Sequence, residues 1–290
     1  MARDKYNAVW VSHSSISDFL HCPRAYYLKN VYKDKNTGNK MKVMAPALAL
    51  GGAVHEVLEG LTVLPKDTRF SESLITKFQA VWTKYGGKQG GFLNQDTEYA
   101  FRQRGEAMLR RVYNNPGPLK DLSIKIKQDL PYYWLSEEDN IILCGKVDWL
   151  EYLADSDTVH IIDFKTGKRK EEAGSLQLPI YLLLVQNTQT KIVSRASYWY
   201  LETDDRLTVQ DLPEVAEAEK KVLDIARKIK LARKLEKYDC PKGKGGCFAC
   251  QPMERILKGE GELVGNDQYG SDVYILPEVN ESDKPESEIL

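Results

Sequence analysis

The chain has 290 residues, 42% of them hydrophobic and 29% charged, values typical of a soluble globular protein with a sizeable core. Its net charge of −1 argues against a nucleic-acid partner, but residues 260–290 carry nine acids and one lysine, a net −8, so residues 1–259 carry a net +7. No apolar run approaches the ~20 residues of a membrane span and the amino terminus has no export signal, so we expect a cytoplasmic protein without a membrane partner.

The first part of the chain is predicted to be helical. An S-x-x-D start signal at Ser15 and Asp18 begins the first helix, and the pair Gly51-Gly52 in the second allows another backbone to approach closely. The last two predicted helices lie in an insertion at about 66–118. The insertion ends at residues 114–118, NNPGP, a sequence that strongly favours the end of a helix. The predicted helices cover 14–30, 47–62, 70–84 and 96–114.

The middle of the chain is predicted to form strands, because it is rich in Ile, Val, Tyr and Trp. A leucine-rich helix over about 174–187 separates the last two strands, and a long charged helix follows at 212–238. This order predicts an α/β fold with a central mixed β-sheet flanked by helices. Residues 260–290 are expected to be a flexible acidic tail that either masks a DNA-binding surface or is merely solvated. The predicted strands cover 122–135, 140–152, 158–165 and 192–202.

The third strand ends in a D-x-K pattern. Because side chains alternate along a strand, Asp163 and Lys165 point the same way while Phe164 points to the other face. If strands 140–152 and 158–165 pair as a hairpin, Asp148 approaches Asp163 across the ladder. Two close carboxylates repel unless a cation or proton neutralises them, and Mg2+ or Mn2+ is the natural occupant. Taken alone, the pattern is also compatible with a salt bridge on an edge strand.

Two helical pairs add polar side chains that are weak signals individually. His55 precedes Glu59 by one helical turn, so the two share a face, although a lone helical histidine is commonly an ordinary packed or surface residue. Gln177 and Tyr181 form a second pair, on the helix that follows the D-x-K strand. They are polar exceptions on a leucine-rich helix, although tyrosine is common in cores.

Five cysteines in a chain without an export signal favour metal ligation or buried thiols over disulfides. Cys240, Cys247 and Cys250 are spaced C-x6-C-x2-C, which leaves one position open on a tetrahedral Zn2+ ion or a four-iron cluster. Cys22 is the expected fourth ligand. Cys144 precedes the glycine of the strand containing Asp148 and is expected to be a core thiol.

Four motifs occur in a characteristic order. They are G-x-x-x-H at Gly51 and His55, G-x-x-D at Gly145 and Asp148, D-x-K at Asp163 and Lys165, and Q-x-x-x-Y at Gln177 and Tyr181. Together they resemble the RecB-type branch of the PD-(D/E)XK nucleases over about residues 12–255. The stretch SSISDFLHCPRAYYLKN also resembles the amino-terminal signature of the iron–sulfur members, which include CRISPR-adaptation nucleases and recombination subunits.

The resemblance implies a restriction-endonuclease-like core and a role for each matching residue. His55, Asp148 and Asp163 would hold the divalent metal, commonly joined by the backbone carbonyl of Phe164. Lys165 would be the catalytic lysine, and the Q-x-x-x-Y pair would position metal-bound groups or substrate; the catalytic set is therefore Lys165, Asp163, Asp148, Gln177 and Tyr181. Val147 replaces the proline of the family pattern, a variation usual for this branch.

The iron–sulfur members use one early and three late cysteines, which implies a [4Fe-4S] cluster on Cys22, Cys240, Cys247 and Cys250. Such a cluster would link the two ends of a single nuclease domain, residues 1–259, and stabilise it by closing a long loop. Zn2+ on the same four residues is the alternative that sequence leaves open.

The leading functional hypothesis is a Mg2+- or Mn2+-dependent deoxyribonuclease, an exonuclease on single-stranded DNA ends. The resemblance places it in recombination, repair, CRISPR adaptation or viral DNA processing, in a prokaryotic or virus-infected cell. The chain has no G-x-x-x-x-G-K-[ST] motif, so any helicase partner would be a separate polypeptide. The alternatives are a non-cleaving DNA-binding or adaptor subunit that retains the fold and cluster, and a zinc-containing interaction protein.

Overall fold

Helices dominate the amino-terminal part of the chain and strands the middle. A computed structural model describes residues 4–172 and 174–277. The helices within these residues are α1 His13–His21, α2 Pro23–Tyr26, α3 Pro46–Glu59, α4 Leu74–Trp82, α5 Gln95–Asn114, α6 Gln177–Thr188, α7 Val215–Lys234 and α8 Gln251–Leu257. The strands within them are β1 Val9–Val11, β2 Met41–Val43, β3 Tyr132–Ser136, β4 Ile141–Cys144, β5 Trp149–Leu153, β6 Thr158–Lys165, β7 Ile192–Tyr200, β8 Thr208–Gln210, β9 Glu262–Asn266 and β10 Asp272–Ile275.

The sheet with the most strands among the described residues has the order β5-β6-β7-β8, and the D-x-K strand, β6, lies at an inner position. Strand β6 is antiparallel to β5 and parallel to β7, and helix α6 makes the crossover between the two parallel strands. A second sheet has the order β1-β4-β3. The structure therefore confirms a mixed α/β fold with strands flanked by helices, although its strands form three sheets rather than one.

The alternation of side chains along β6 divides the core into two layers. Val159 and Ile161 face one cluster, which also contains the apolar residues of α6 and α7. Ile162 and Phe164 face the other cluster, built mainly from α3, α4 and α5. Because both faces are covered, six consecutive residues of this strand are buried, and its polar members need specific partners.

The predicted strand 140–152 is in fact two strands in two sheets. Strand β4 pairs with β1 and β3, whereas β5 pairs with β6. Residues 145–148 carry the chain between the sheets, so Asp148 lies immediately before β5 rather than within a continuous strand. Similarly, only the last residues of the predicted strand 122–135 form one, and Ser123 makes an isolated bridge to Glu151.

The first helix begins one turn earlier than the S-x-x-D signal indicates. Ser12 is its N-cap: the Ser12 hydroxyl accepts from the Ser15 N–H, and the Ser15 hydroxyl accepts from the Ser12 N–H. The predicted helix 14–30 is interrupted at Cys22, where the backbone is extended before Pro23 begins α2. The break leaves the Cys22 side chain buried between the two short helices.

The expectation of a flexible tail from residue 260 is wrong for residues 262–275. Strands β9 and β10 form an antiparallel hairpin, and β10 pairs in parallel with β2. The buried Asp272 carboxylate fixes this junction by accepting hydrogen bonds from Thr37, Asn39 and Asn266. The rest of the predicted tail, 278–290, lies outside the described residues. Among the helices that the structure describes, we find none with an apolar stretch long enough to cross a membrane.

Candidate active site

The carboxyl end of β6 places the D-x-K side chains on one face. Lys165 Nζ lies 3.0 Å from Asp163 Oδ2, and Phe164 packs into the opposite layer, with its ring centroid 6.2 Å from that of Trp199. Asp163 is 2% exposed. Its Oδ2 atom accepts no hydrogen bond of normal geometry from the described residues, so the nearby Lys165 ammonium balances the charge of this buried oxygen.

Asp148 connects β6 to helix α3. Its Oδ2 atom accepts a 2.8 Å hydrogen bond from the Phe164 N–H, so the peptide following Asp163 fixes the second carboxylate beside the first. Its Oδ1 atom lies 3.3 Å from Nδ1 of His55. The structure thus brings together three predicted residues from separate parts of the chain, at the end of the sheet and against α3.

Glu59 joins this group, although the sequence interpretation noted it only as a neighbour of His55. Its Oε1 atom lies 3.7 Å from His55 Nδ1. His55, Glu59 and Asp148 each offer one possible metal-ligand atom, and these three atoms lie within 4.8 Å of one another. Asp163 lies outside this mutually close set. The signal that could have identified Glu59 is its i, i+4 relation to the histidine.

The charged side chains of this site shift the pKa values of their neighbours. Burial alone would lower the pKa of His55, but the carboxylates of Asp148 and Glu59 outweigh it and raise the pKa to about 10. Burial raises the pKa of Asp163 to about 7, with a further contribution from the Asp148 carboxylate that the Lys165 ammonium only partly opposes. The carboxylates therefore attract positive charge into this site.

Gln177, at the first turn of α6, connects the lysine to the aspartate. Its Oε1 atom accepts a hydrogen bond from Lys165 Nζ, and its Nε2 atom donates to Asp163 Oδ1 at 2.8 Å and to the Tyr181 hydroxyl oxygen at 3.1 Å. Burial and the nearby carboxylates raise the pKa of Tyr181 well above its ordinary value, so the phenol stays protonated. The Q-x-x-x-Y pair therefore orients the amine and the acid relative to each other.

Lys165 has a second acidic partner that the sequence interpretation missed. Glu171 Oε2 lies 3.0 Å from Lys165 Nζ, and the Glu171 N–H donates to the Tyr200 hydroxyl. Burial alone would lower the pKa of Lys165, but Asp163 and Glu171 raise it, so the amine is charged. Glu171 follows the strand in a loop, where periodicity gives no indication of which way a side chain points.

The residues present fit a hard divalent cation. The carboxylates of Glu59, Asp148 and Asp163 supply the oxygen ligands that Mg2+ and Mn2+ prefer, and the His55 imidazole adds one nitrogen ligand. His55, Glu59 and Asp148 would hold such an ion, with Asp163 as a further ligand. The part that the Phe164 carbonyl would take remains a prediction.

The four cysteines form a second candidate centre, in a separate apolar cluster that joins α1 and α2 to the segment before α8. Cys22, Cys240, Cys247 and Cys250 are all buried, and their sulfur atoms lie within 4.8 Å of one another. Cys144 is elsewhere, where its thiol donates to the Val11 carbonyl. The structure thus separates four converging thiols from one isolated core thiol.

The thiols of this centre differ in acidity. Burial raises the pKa of Cys22 to about 12. Burial would also raise the pKa of Cys247, but hydrogen bonds from the backbone N–H groups of Cys250 and Ala249 lower it to about 7. A cationic metal would favour the thiolate form of all four, because coordination requires deprotonated sulfur.

The donor set fits a metal group that binds four thiolates. A tetrahedral ion with 2.3 Å bonds to sulfur separates its ligands by roughly 3.8 Å. The Cys250–Cys240 and Cys247–Cys250 sulfur distances are 3.8 and 3.9 Å. A four-iron cluster attaches each thiolate to a different iron atom and would require the sulfurs to lie farther apart.

The sequence is similar to those of known nuclease proteins. The model of the PD-(D/E)XK nuclease superfamily matches residues 10–255. One subunit of the ATP-dependent helicase/deoxyribonuclease of Clostridium perfringens strain SM101 is 26% identical over 242 residues, and its counterpart in strain 13 has the same identity. These alignments cover 70% of this chain but only 20% of the relatives, so the chain spans a fifth of their length. With most of its length matched and the residues of all four motifs at one end of its sheet, the chain belongs to the PD-(D/E)XK nuclease superfamily.

Proposed function

We propose that the chain is a Mg2+- or Mn2+-dependent deoxyribonuclease that degrades single-stranded DNA from an end. The observation that supports this is the convergence of His55, Glu59 and Asp148 beside buried Asp163, whose Oδ2 atom lies 3.0 Å from the charged amine of Lys165. An ordinary edge-strand salt bridge would require neither a buried aspartate on an inner strand nor a histidine between two further acids.

Each residue has a distinct part in this proposal. The metal would polarise the scissile phosphate and lower the pKa of a bound water. Lys165, charged and held by Gln177 and Glu171, would stabilise the negative charge that develops on the phosphate. Gln177 and Tyr181 would keep the Asp163 carboxylate oriented toward the metal, because both Gln177 donor contacts are formed already.

The test is degradation of end-labelled and end-blocked single strands with Mg2+ or Mn2+. Asp163→Asn and Lys165→Ala should each reduce the rate by about 100-fold or more, since each removes a group that acts on the transition state. Thermal melting of both variants separates lost chemistry from lost folding. Blocking one end should abolish degradation from that end and so report the polarity.

The opposite outcome is equally well defined. If folded protein degrades no strand with either ion, or if neither substitution changes the rate, the nuclease proposal fails. Binding of DNA without degradation would instead support the non-cleaving adaptor role. Cutting of circular single strands would replace the exonuclease with an endonuclease.

We also propose that the four-cysteine centre binds a [4Fe-4S] cluster, following the arrangement of one early and three late cysteines. The alternative is a single Zn2+ ion, which the short sulfur–sulfur distances favour. Brown protein with acid-labile sulfide would support the cluster. Colourless protein with one zinc per chain would exclude it.

The proposal extends to a helicase partner and to the pathways in which the nuclease would act. The named relatives are subunits of a helicase/deoxyribonuclease, which suggests that a helicase supplies single strands to this chain. Recombination, repair, CRISPR adaptation and viral DNA processing all generate such strands, in a cytoplasmic setting. Co-purification with a helicase-containing complex would support this association, and a failure to co-purify would contradict it.

A further inference from the structure

A groove crosses the metal site, and the carboxyl-terminal hairpin forms one of its walls. A cavity of about 710 Å³ is lined by His55 and Glu59 of α3 and by residues 265–269 of the β9–β10 turn. A second cavity of about 210 Å³ contains Asp148. The two cavities share Glu59, Lys125 and Lys146, so they meet at the metal-binding group.

The hairpin is held firmly in this place. Glu262 Oε1 lies 2.6 Å from Lys88 Nζ, on the turn that follows α4. At its tip, Asp267 Oδ1 accepts hydrogen bonds from the backbone N–H groups of Tyr269 and Ser271, and Asp267 Oδ2 lies 3.5 Å from Lys42 Nζ. The tip therefore has a defined conformation before any ligand binds.

An aromatic side chain projects from this tip. Tyr269 is 74% exposed, unusual for a large ring on an ordered turn, and it lines the larger cavity together with Tyr85. Tyr85 packs closely against α3, since a Cβ at Gly52 would come within 2.5 Å of its ring. Its hydroxyl donates to Glu56 Oε2 at 3.1 Å. The groove thus has one fixed and one freely exposed tyrosine.

The charges of the groove favour a polyanion. Glu56 is paired with Lys84, and Asp267 is paired with Lys42. Lys125 and Lys146 are exposed, and neither forms an ion pair with another residue in the part of the chain that the structure describes. When a divalent ion neutralises Glu59 and Asp148, these two lysines outweigh Asp129, the one further acid that lines the smaller cavity, and the groove has a net positive charge.

We propose that this groove binds single-stranded DNA, with Tyr269 stacking on a base and Lys125 and Lys146 contacting phosphates beside the metal site. The inference deepens the proposed nuclease function and rests on it. A base inside a duplex has both faces covered by its neighbours, so a protruding tyrosine can stack only on an unpaired or terminal base. Tyr269 is therefore the residue that distinguishes single strands from duplex.

The test is the binding of a fluorescein-labelled oligothymidine of about 12 nucleotides, measured by anisotropy with Mn2+ and with Lys165→Ala in every protein, so that the metal ligands are neutralised while degradation is slow. Tyr269→Ala should weaken binding about 5- to 100-fold, the range for loss of one stacked base, whereas Tyr269→Phe should bind like wild type. Tyr99→Ala removes a ring that is 59% exposed outside the groove and should change nothing. Binding of a duplex with capped ends should be equal for all four proteins.

The lysines have an independent readout. Lys125→Gln and Lys146→Gln should each reduce the slope of log affinity against log salt by about 0.7, the value for one phosphate contact on a single strand. If Tyr269→Ala and both lysine variants bind like a wild type that degrades DNA, the groove inference is wrong and the nuclease proposal stands. If wild type neither binds nor degrades single strands, both fail.

Discussion

Two side chains one helical turn apart on α3 face the same carboxylate. His55 lies 3.3 Å from Asp148, and Glu59 lies 3.7 Å from His55. Without a metal, the positive charge of the imidazole stabilises both acids. A divalent ion would replace that proton, because a ligating histidine must be neutral. Glu59 is thus in position either to bind the ion directly or to orient His55.

Glu59→Gln should raise the Mn2+ dissociation constant about 10- to 100-fold, since it removes a negative charge from the ligand group or its support. Calorimetric titration with Mn2+ measures this without relying on nuclease activity. Glu72→Gln, which replaces an exposed acid paired with Lys77, is the matched control and should bind Mn2+ like wild type. An unchanged Mn2+ affinity in Glu59→Gln would remove Glu59 from the site.

At the scale of elements, helix packing depends on a small residue in α5. Gly105 lies where this helix crosses α4 and α3, and a Cβ there would come within 2.3 Å of the Phe78 ring and 3.0 Å of Leu50. The two neighbours belong to different helices of the same buried cluster, so neither can move without disturbing the other.

Gly105→Ala should therefore lower the free energy of unfolding by about 1–3 kcal/mol, the usual cost of overpacking a core. Gly60→Ala is the control, because Gly60 has φ −59° and no atom within 4 Å of a Cβ. Such a change should be neutral or stabilising by about 0.4–1 kcal/mol. Chemical denaturation of the three proteins measures both effects, and equal stability of Gly105→Ala and wild type would refute the packing argument.

The junction of β2 and β10 depends on one buried acid. Asp272 accepts hydrogen bonds from Thr37, Asn39 and Asn266 at 2.6–2.9 Å. Burial alone would raise the pKa of this carboxyl, but these hydrogen bonds lower it below its ordinary value. A lowered pKa in the folded state means that the ionised form contributes stability above pH ~4 and loses it as the pH falls through the folded value.

Asp272→Asn should destabilise the protein by about 1–3 kcal/mol at pH 7, because it turns an acceptor of charge-assisted bonds into a group that brings two donors of its own. The difference from wild type should shrink as the pH falls below ~4, because the unfolded chain is protonated at Asp272 there and the folded protein only at lower pH. Thermal melting across pH 3–7 measures both. A constant difference across this pH range would show that the charge of Asp272 does not matter.

The elements that the sequence predicted well are those with strong local patterns. Helices α3 and α5 agree with the predicted ranges within two or three residues at each end, and β6 matches its range fully. The split between β4 and β5 was missed because it depends on which distant strands each one joins. The strands near 262–275 were missed because their acidic composition resembles a tail, while the partner, β2, is far away in sequence.

The residues of the candidate site also differ in how far local sequence patterns predict them. The four motifs located Asp163, Lys165, His55 and the Gln177–Tyr181 pair in regular elements whose geometry fixes their direction, and Asp148 directly before a strand. Glu171 and Tyr269 were not assigned a role, since both lie in turns or loops where only the folded chain shows what a side chain faces. The pairing of Cys22 with the late cysteines came from the resemblance rather than from local pattern.

At the scale of the whole molecule, the cysteine centre joins the two ends of the described chain. Cys22 comes from the break between α1 and α2, whereas the other three thiols come from the segment before α8. Near it, Arg24 is hydrogen bonded to Glu254, and β2 pairs with β10. A metal group bound to all four sulfurs would constrain the unfolded chain over most of its length.

Cys22→Ser should therefore lose the bound metal group and about 5 kcal/mol of stability, the size expected for opening a very long cross-linked loop. Metal and sulfide analysis measures the first effect, and anaerobic thermal melting the second. Cys144→Ser changes another buried thiol that has no sulfur neighbour among the described residues, so it should keep its metal content and lose less stability. If Cys22→Ser retains the full metal content, three late cysteines suffice, and the two ends of the chain are held together by packing alone.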